Sequence, residues 1–459
     1  MTDVTSFFAN ENEYSDIDAE GAAARLSSAI RCYTVNDRCD YAGFDALQAH
    51  MRASYPHIMA EGSFELVGHS VLITLPGSDP SLRPALFMSH QDVVPVVKGT
   101  ENDWTHGAFS GDIADGYIWG RGTLDIKEMV FGILEAGEYL LAHGEKFRRT
   151  VYFAFGEDEE TFNTGAQAIS DLLKSRGVTL EFVLDEGGGK IHPGSAFGAP
   201  NVNVSEINLM EKGYADLRLR AYSVGGHSSR PFGGTSLARL SCAIASIVSS
   251  PFPAECSPVL RKTFETLAPY ISEEPVASFV ANGDWQGLAD YCLTVPELFP
   301  LVTTTIAPTM INGGSQACNV MPQNMEAVVN FRIGCGHTAK AVFEHCRALV
   351  EPEIDLDFLQ ANDPSAVANT DSFGYESLCR VMGHYFDGVV FIPTLTVGGT
   401  DAHCYEQICD VCLRCSPFVG NIEDVETGVH GTNERISVRA YIHGIRVLIG
   451  MMKNTCIDI

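Results

Sequence analysis

The stretch 151–161, VYFAFGEDEET, is the feature that most constrains the fold of this chain. Its first five residues are β-branched, aromatic or small and apolar, which is typical of a strand buried on both faces of a sheet. Gly156 and four consecutive acids follow at once. Adjacent carboxylates repel one another, so ordering them at the end of a buried strand costs free energy unless cations are bound there. The sequence therefore predicts that Glu159 and Glu160 face a metal-bearing cleft.

Two further segments bring metal-ligand side chains to the ends of predicted strands. PALFMSHQDVVP is a short apolar strand that ends in His90, and Asp92 follows two residues later on the same side of an extended chain. A carboxylate so placed can accept the imidazole N–H that a metal does not use. LEFVLDEGGG likewise runs from apolar residues into Asp185 and Glu186. Because open α/β sheets bind ligands at the carboxyl ends of their strands, we expect these segments to converge.

Asp125 and His430 are ambiguous from their local sequence. Asp125 stands just before a helix predicted for 127–143, where an N-cap is as good an explanation as a metal ligand. His430 lies on a glycine-rich loop before a closing helix predicted for 438–452, in a chain with 14 histidines. Neither residue alone indicates a site.

Composition limits the partners of this protein. The chain carries 58 acidic and 30 basic residues, for a formal charge of −28. A basic stripe that could neutralise phosphates is missing, which excludes a nucleic-acid partner. The sequence shows no signal-peptide pattern and no run of about 18 apolar residues, so we expect no membrane association.

The cysteines indicate a reducing compartment. The 14 cysteines follow no disulfide-framework spacing, which fits free thiols in the cytoplasm. The group Cys404, Cys409, Cys412 and Cys415 contains CxxC twice but lies in an apolar, strand-like stretch. This setting favours buried structural cysteines over a separate zinc site.

The order of predicted elements indicates two domains. At 459 residues the chain is too long for one simple core. Strands and helices alternate up to about residue 211, antiparallel strands with helices follow, and the alternation then resumes. We predict an α/β catalytic domain formed by residues 1–211 and 362–459, with residues 212–361 inserted into it.

Taken together, the motifs are far more specific than any one of them. SHQDVVP, WGRGTLDIK, GEDEE, LDEGG, GGHSSRP, ACNVMP with NFRI downstream, GGTDA and HGTNERIS occur in this order between about residues 60 and 455. The chain resembles the M20 family of dinuclear zinc exopeptidases and amidohydrolases, and within it the carboxypeptidase S/PM20D1-like branch. The resemblance implies a zinc-exopeptidase-type α/β catalytic domain, with a mixed central sheet flanked by helices and an inserted α+β lid and dimerisation domain.

The resemblance also implies a ligand set for two Zn²⁺ ions, which Co²⁺ or Mn²⁺ can replace. The implied ligands are His90, Asp125, Glu160, His430 and one residue of LDEGG, either Asp185 or Glu186. Asp125 would bridge the two metals, and Asp185 is preferred within LDEGG. Asp92 would orient His90, and the peptide bond after Asp125 would be cis.

Catalysis follows from such a centre. Two metals roughly 3.5–4 Å apart can hold a bridging water and lower its pKa from about 15.7 toward about 7. Glu159, beside Glu160, is then the candidate general base. In the family, the histidine of GGHSSRP, here His227, reaches into the active site of a partner subunit as an oxyanion donor, which implies a homodimer through the inserted domain.

The remaining motifs concern the substrate. Asn319 and Arg332 resemble residues that grip a free carboxylate, and Thr400 of GGTDA is placed with them. His403 stands where relatives usually carry arginine, so carboxylate recognition is expected to differ there. Glu128 stands where relatives often carry glycine.

We therefore expect metal-dependent hydrolysis of the amide bond of small peptides or N-acyl amino acids with a free carboxylate. A dedicated deacetylase or desuccinylase of an amino-acid intermediate is the alternative, but the stretch 251–300 is longer than small deacylases need. A binding protein that had lost catalysis would lack Glu159 or a ligand, and this chain keeps them all. A two-metal phosphoesterase would leave Asn319 and Arg332 without a role.

Overall fold

The computed structural model describes residues 4–419 and 428–459. The helices are α1 (Ala19–Ile30), α2 (Ala42–Ser54), α3 (Pro56–Glu61), α4 (Lys127–Ala142), α5 (Thr164–Ser175), α6 (Ser236–Val248), α7 (Pro258–Leu267), α8 (Val276–Asn282), α9 (Trp285–Cys292), α10 (Phe299–Val302), α11 (Ala339–Leu349), α12 (Phe373–Tyr385) and α13 (Val438–Met452). Within these two ranges, no helix combines the length and the apolar character that crossing a membrane requires.

The strands follow the same order as the predicted motifs. They are β1 (Ser63–Val67), β2 (Ser70–Leu75), β3 (Ala85–His90), β4 (Ile113–Ala114), β5 (Tyr117–Trp119), β6 (Val151–Gly156), β7 (Phe182–Asp185), β8 (Ile191–Gly194), β9 (Ala199–Glu211), β10 (Gly213–Tyr222), β11 (Gly226–His227), β12 (Thr305–Gly313), β13 (Val320–Met321), β14 (Asn324–Ile333), β15 (Asp355–Asn362), β16 (Val389–Thr396), β17 (Cys412–Arg414) and β18 (Arg435–Ser437).

The main sheet is mixed. Its strand order is β1-β2-β6-β3-β7-β17-β9-β16, and β8 pairs with β9. The central strands β6, β3, β7 and β17 are parallel to one another, whereas β2 runs antiparallel to β6 and β9 antiparallel to β17. The carboxyl ends of β3, β6 and β7 therefore meet at one edge, with the helices on both faces. The predicted α/β class with a mixed central sheet is confirmed.

Both faces of the main sheet are covered, which explains the unbroken apolar runs in its strands. Along β3, Ala85 and Phe87 pack into the core under α1, α4 and α13, whereas Leu86 and Met88 pack into the core under α5. Successive residues of a strand point to opposite faces, so each strand needs apolar residues at every position.

Strands β10, β12, β14 and β15 form a second sheet, and β11 and β13 pair in a separate two-stranded sheet. The second sheet has the order β12-β14-β10-β15, and every neighbouring pair is antiparallel. Helices α6 and α11 pack on it around a separate core that includes Leu217 and Val329. Helices α7, α8 and α9 belong to another core, which they share with Val204 and Ile392 of the main sheet. The division at residues 211 and 361 stays a prediction.

The cysteines of the CxxC group are packed in two different cores. Cys404, Cys409 and Cys412 lie in the core under α5, and Cys415 lies in the core on the other face of the main sheet. All 14 cysteines are free thiols. The four cysteines of the CxxC group are therefore packed among apolar side chains, as expected for structural cysteines.

The ring of His443 on α13 anchors the N-terminal segment. It stacks on Phe8 with centroids 4.1 Å apart, and Nε2 donates to the carbonyl of Tyr385 over 2.9 Å. Burial lowers the pKa of His443 to about 4. The unfolded chain, with a histidine pKa of about 6.5, therefore binds more protons than the folded chain between these two values. The contribution of His443 to the free energy of unfolding is therefore complete above about pH 6.5 and is lost as the pH falls toward about 4.

We expect His443→Gln to remove this part of the pH dependence. Between pH 7 and pH 5 the wild type should lose about 2 kcal/mol more unfolding free energy than the variant. Glutamine can still donate to the Tyr385 carbonyl, and the charged neighbours Glu11, Arg439 and Arg446 are unchanged. Urea unfolding of both proteins at the two pH values measures the difference, and parallel losses would contradict the expectation.

Candidate metal centre

His90, at the carboxyl end of β3, lies at the centre of the site. It is 1% exposed, and its Nδ1 donates to the backbone carbonyl of Asp92 over 2.9 Å. The other ring nitrogen, Nε2, lies 3.2 Å from a Glu186 oxygen and 3.3 Å from an Asp125 oxygen. Among the described residues this buried Nε2 has no hydrogen-bond partner. A buried nitrogen that faces carboxylates without a hydrogen bond fits a metal ligand.

Asp125 lies between two imidazoles. Its Oδ1 faces His90, and its Oδ2 is 2.9 Å from Nε2 of His430. The same nitrogen of His430 is 3.3 Å from Oε1 of Glu160. The N-cap of α4 is Ile126, and no side chain caps this helix. Asp125 is therefore not an N-cap, and its carboxylate is directed to the two histidines. The peptide bond that follows it is cis, as the resemblance implies.

Three sets of side chains in the described part of the chain could each hold a metal ion, with their ligand atoms within 4.8 Å of one another. The sets are His90, Asp125 and Glu186; His90, Glu159 and Glu160; and Asp125, Glu160 and His430. Imidazole nitrogen and carboxylate oxygen are ligands that zinc accepts in proteins. The donor set therefore fits the zinc that the resemblance implies.

Asp92 holds the acidic stretch against His90. Its carboxylate is fully buried and lies 3.3 Å from Nδ1 of His90. The two oxygens also accept hydrogen bonds from the backbone N–H groups of Glu159 and Glu160, each over 3.1 Å. One residue thus fixes both the imidazole and the two acids that follow β6.

Burial and crowding perturb the ionisation of this group. Burial raises the pKa of Glu159 well above its usual value, and it raises the pKa of Glu186 to about 7. Hydrogen bonds to Asp125 and Glu160 raise the pKa of His430 to about 10. Burial also opposes ionisation of Asp125, but the two histidines hold its pKa below the usual range. Such clustering of perturbed groups is typical of functional sites.

The segment LDEGG contributes Glu186 to the group. Glu186 faces His90, whereas Asp185 is buried with its Oδ1 accepting from the backbone N–H of Glu186. Burial raises the pKa of Asp185, although hydrogen bonds from the backbone N–H of Glu186 and from Thr400 oppose this shift. Neighbouring residues at a strand end point to opposite sides, so only one of the pair can reach the metal side. The structure places Glu186 there.

Thr400 and His403 lie in a neighbouring polar network. The hydroxyl of Thr400 donates to Glu211 over 2.7 Å, and Nε of Arg414 donates to the same oxygen over 2.6 Å. Nδ1 of His403 lies 2.6 Å from the Thr400 carbonyl. Thr400 is buried, whereas the side chain of His403 is 37% exposed. Of these two predicted substrate residues, only His403 presents a side chain to solvent.

Glu128 is buried beside the centre. Burial raises the pKa of its carboxyl well above the usual range. The residue lines a cavity of about 260 Å³ together with Asp125, Glu186 and the apolar side chains of Leu124 and Phe418. This cavity adjoins the centre, because Asp125 and Glu186 belong to both.

Arg332 lies on β14 of the second sheet, whereas His227 lies on β11 of the two-stranded sheet and Asn319 directly precedes β13. His227 on β11 pairs with Val320 on β13, and the carbonyl of Asn319 accepts from the backbone N–H of Ser228 over 2.9 Å. Both residues are exposed. The guanidinium of Arg332 lies 4.8 Å from the ring centroid of Tyr214. Within the described ranges, no hydrogen bond or ion pair joins these three residues to the group around His90.

Two buried carboxylates, those of Asp401 and Glu434, form hydrogen bonds next to the centre. The sequence analysis assigned no role to either residue. Asp401 accepts from the side-chain amide of Asn163 over 2.9 Å, next to the acidic stretch. Glu434 accepts from the backbone of the loop that precedes Asp125. The only sequence feature that could have identified them is that Asp401 belongs to the motif GGTDA and Glu434 to the motif HGTNERIS.

Comparisons with known proteins agree with this geometry. A family model described as Peptidase family M20/M25/M40 matches residues 86–454. The N-fatty-acyl-amino acid synthase/hydrolase PM20D1 of Homo sapiens is 34% identical over 402 residues, which cover 85% of this chain and 78% of that protein. A probable carboxypeptidase S-like 2 of Dictyostelium discoideum is 31% identical over 457 residues, which cover 96% of this chain and 86% of that protein.

A solved structure shares the fold. The M20 family metallo-carboxypeptidase Sso-CP2 from Sulfolobus solfataricus aligns with a TM-score of 0.67 at 17% identity, over 94% of this chain and 98% of that one. The family match, the identity of the relatives and the histidine and carboxylate group agree with one another. The chain therefore belongs to peptidase family M20/M25/M40, and it is a metal-dependent hydrolase of that family.

Proposed function

We propose that the protein hydrolyses the amide bond of small peptides or N-acyl amino acids that carry a free carboxylate. The observation that carries the proposal is the convergence of two histidines and four carboxylates at the carboxyl edge of the main sheet. The buried Nε2 of His90, which faces carboxylates without a hydrogen bond, supports a metal in this group. The names of the relatives support amide hydrolysis as the reaction.

The metal positions in this proposal are two. His90, Asp125 and Glu186 would hold one Zn²⁺, and Asp125, Glu160 and His430 would hold the other. When bound, the ions polarise the scissile carbonyl and make a water molecule more acidic. Co²⁺ and Mn²⁺ are alternatives, because these donors are nitrogen and oxygen atoms that both metals accept. In this proposal Glu186, rather than the preferred Asp185, is the ligand from LDEGG, because its carboxylate lies 3.2 Å from Nε2 of His90.

Glu159 is the proposed general base. Its carboxylate lies 3.9 Å from Nε2 of His90, and its backbone N–H is fixed by Asp92. From this position it would take the proton of the attacking water and deliver it to the leaving amine. The adjacent Glu160 faces His430, so the two acids have separate partners.

Substrate recognition is assigned to the second sheet and to the GGTDA segment. Arg332 would bind the substrate carboxylate, because a guanidinium donates two parallel hydrogen bonds. Asn319 and His403, with Thr400 behind it, would complete this grip. His227 would act as an oxyanion donor in the partner subunit of a homodimer, and its exposed position on β11 supports that role. The free thiols support a cytoplasmic location.

A panel of N-acyl amino acids and dipeptides, each with its C-terminal amide, tests the proposal. With zinc-loaded protein, the free acids should be hydrolysed, and the amides should show kcat/KM values about 10–100-fold lower, since a charged hydrogen bond is lost. Equal turnover of acids and amides would contradict recognition of the carboxylate. Turnover of a single acyl group would favour a dedicated deacylase, and no turnover at all would refute the proposed substrates.

A further inference from the structure

Two segments that are distant in sequence are tied together next to the metal centre. Strand β18 pairs with β5, with Arg435 opposite Trp119. Past this pair, the backbone N–H of Gly120 donates to the carbonyl of Glu434 over 2.9 Å. The segment that contains β5 continues to Asp125, and the segment that contains β18 begins shortly after His430. The pairing therefore brings the approaches to two proposed ligands side by side.

The side chain of Glu434 adds further hydrogen bonds between the segment of β18 and the segment of β5. It is fully buried, and its Oε1 accepts from the backbone N–H groups of Gly122 and Leu124 over 2.9 and 2.8 Å. Its Oε2 accepts from Nη1 of Arg121 over 2.5 Å. Leu124 directly precedes Asp125. The position of the Asp125 backbone is thus set by a side chain of the other segment.

Arg121, in the segment of β5, also forms a hydrogen bond with the segment of β18. Its side chain is buried, and Nη2 donates to the carbonyl of Gly431 over 3.0 Å. Gly431 directly follows His430, whose φ of 58° lies in the left-handed region that most residues avoid. A residue in that region keeps its conformation only when its surroundings hold it. The bond to Gly431 is such a contact.

We propose that Glu434 and Arg121 are positioning residues that fix Asp125 relative to His430 and thereby set the affinity of the metal position formed by Asp125, Glu160 and His430. Neither residue touches that metal position. The inference rests on the proposed function, because it presupposes two metals. Buried ion pairs add little net stability as a rule, so stability alone is a weak explanation for this one.

The chemistry of the carboxylate makes the role testable. Glu434 faces three N–H donors, and only a side chain that accepts through both of its end atoms can satisfy all three. In Glu434→Gln the amide –NH₂ must face either Arg121 or the backbone N–H groups of Gly122 and Leu124. One side of the connection is then lost with almost no change in volume. Arg121→Lys keeps the charge but cannot reach both Glu434 and Gly431 with a planar fork.

Calorimetric titration of the metal-free protein with Zn²⁺, with Co²⁺ absorption as a second measure, tests the proposal. Glu434→Gln should weaken the binding of one of the two ions about 10–100-fold and change the Co²⁺ spectrum. Arg121→Lys should weaken the same ion, and it keeps the proposal testable if Glu434→Gln does not fold. The matched control is Glu135→Gln, which disturbs the buried pair of Glu135 with Arg25, away from the centre.

The outcomes separate this inference from the proposed function. If the control loses unfolding stability but binds both ions like the wild type, while Glu434→Gln loses affinity, the positioning role is supported. If Glu434→Gln loses stability alone and binds both ions unchanged, the pair is only structural and the proposal is overturned. A wild-type protein that binds fewer than two ions would overturn the two-metal centre itself, before any variant is compared.

Discussion

Replacing Glu159 with glutamine should lower kcat by about 10²–10⁴-fold while the protein keeps its metal, which is the range for the loss of a general base. Glutamine has the same shape but cannot accept a proton from water. The backbone hydrogen bond to Asp92 does not involve the changed atoms, so the acidic stretch stays in place. Steady-state kinetics on an N-acyl amino acid, together with measurement of bound zinc, would check this result.

Glu157 provides a matched control for Glu159. It belongs to the same acidic stretch, but its carboxylate accepts from the hydroxyl of Ser70 and takes no part in the metal-binding sets. Glu157→Gln should therefore leave kcat within a few-fold of the wild type. Full activity of Glu159→Gln, or equal losses in both variants, would show that the proton is taken by another group.

Arg25→Met should reduce the free energy of unfolding by about 3–5 kcal/mol, because it leaves a buried carboxylate without its counter-charge. Arg25 on α1 donates to both oxygens of Glu135 on α4, over 2.6 and 2.8 Å. The hydroxyl of Tyr55 also donates to Glu135, over 2.9 Å, but it is neutral. Urea unfolding monitored by circular dichroism would give the difference.

The double variant Arg25→Met, Glu135→Leu separates the buried charge from lost packing. It removes both charges and keeps apolar volume between α1 and α4, so most of the stability lost in the single variant should return. If the double variant is as unstable as the single one, packing rather than the unpaired carboxylate is the cause.

The local elements of the fold were predictable from the sequence. The sequence predicts a helix at 127–143, and α4 lies at Lys127–Ala142. It predicts another at 438–452, and α13 lies at Val438–Met452. The strands that end at His90 and at Asp185 were read from apolar runs that stop at charged residues. Such patterns are local, so the sequence contains them in full.

The pairing of strands was not predictable in the same way. β9 and β10 follow one another with Lys212 between them, and both alternate in part, yet they belong to different sheets. β9 pairs in parallel with β16, which comes almost 200 residues later, as Val389 opposite Asn203 shows. Hydrophobic alternation specifies which face of a strand is buried but not which strand lies beside it.

The site shows the same limit at finer scale. The motifs include the segments that the structure brings together around His90, LDEGG among them, but the choice between Asp185 and Glu186 depends on which way the chain leaves β7. Two adjacent residues of the same chemistry cannot be separated by composition or period. The role of Glu434 was missed because it acts on the backbone of a segment more than 300 residues earlier.

The packing of the cysteines determines how the protein meets alkylating and oxidising reagents. The thiolate is the reactive form, and burial raises the pKa of the thiols of Cys292, Cys346 and Cys456 to about 12. These thiols stay protonated and out of reach in the folded state. Cys39, Cys242 and Cys318 are exposed. Chemical labelling of the native protein is therefore directed mainly to these three exposed thiols, and Cys318 among them is next to Asn319.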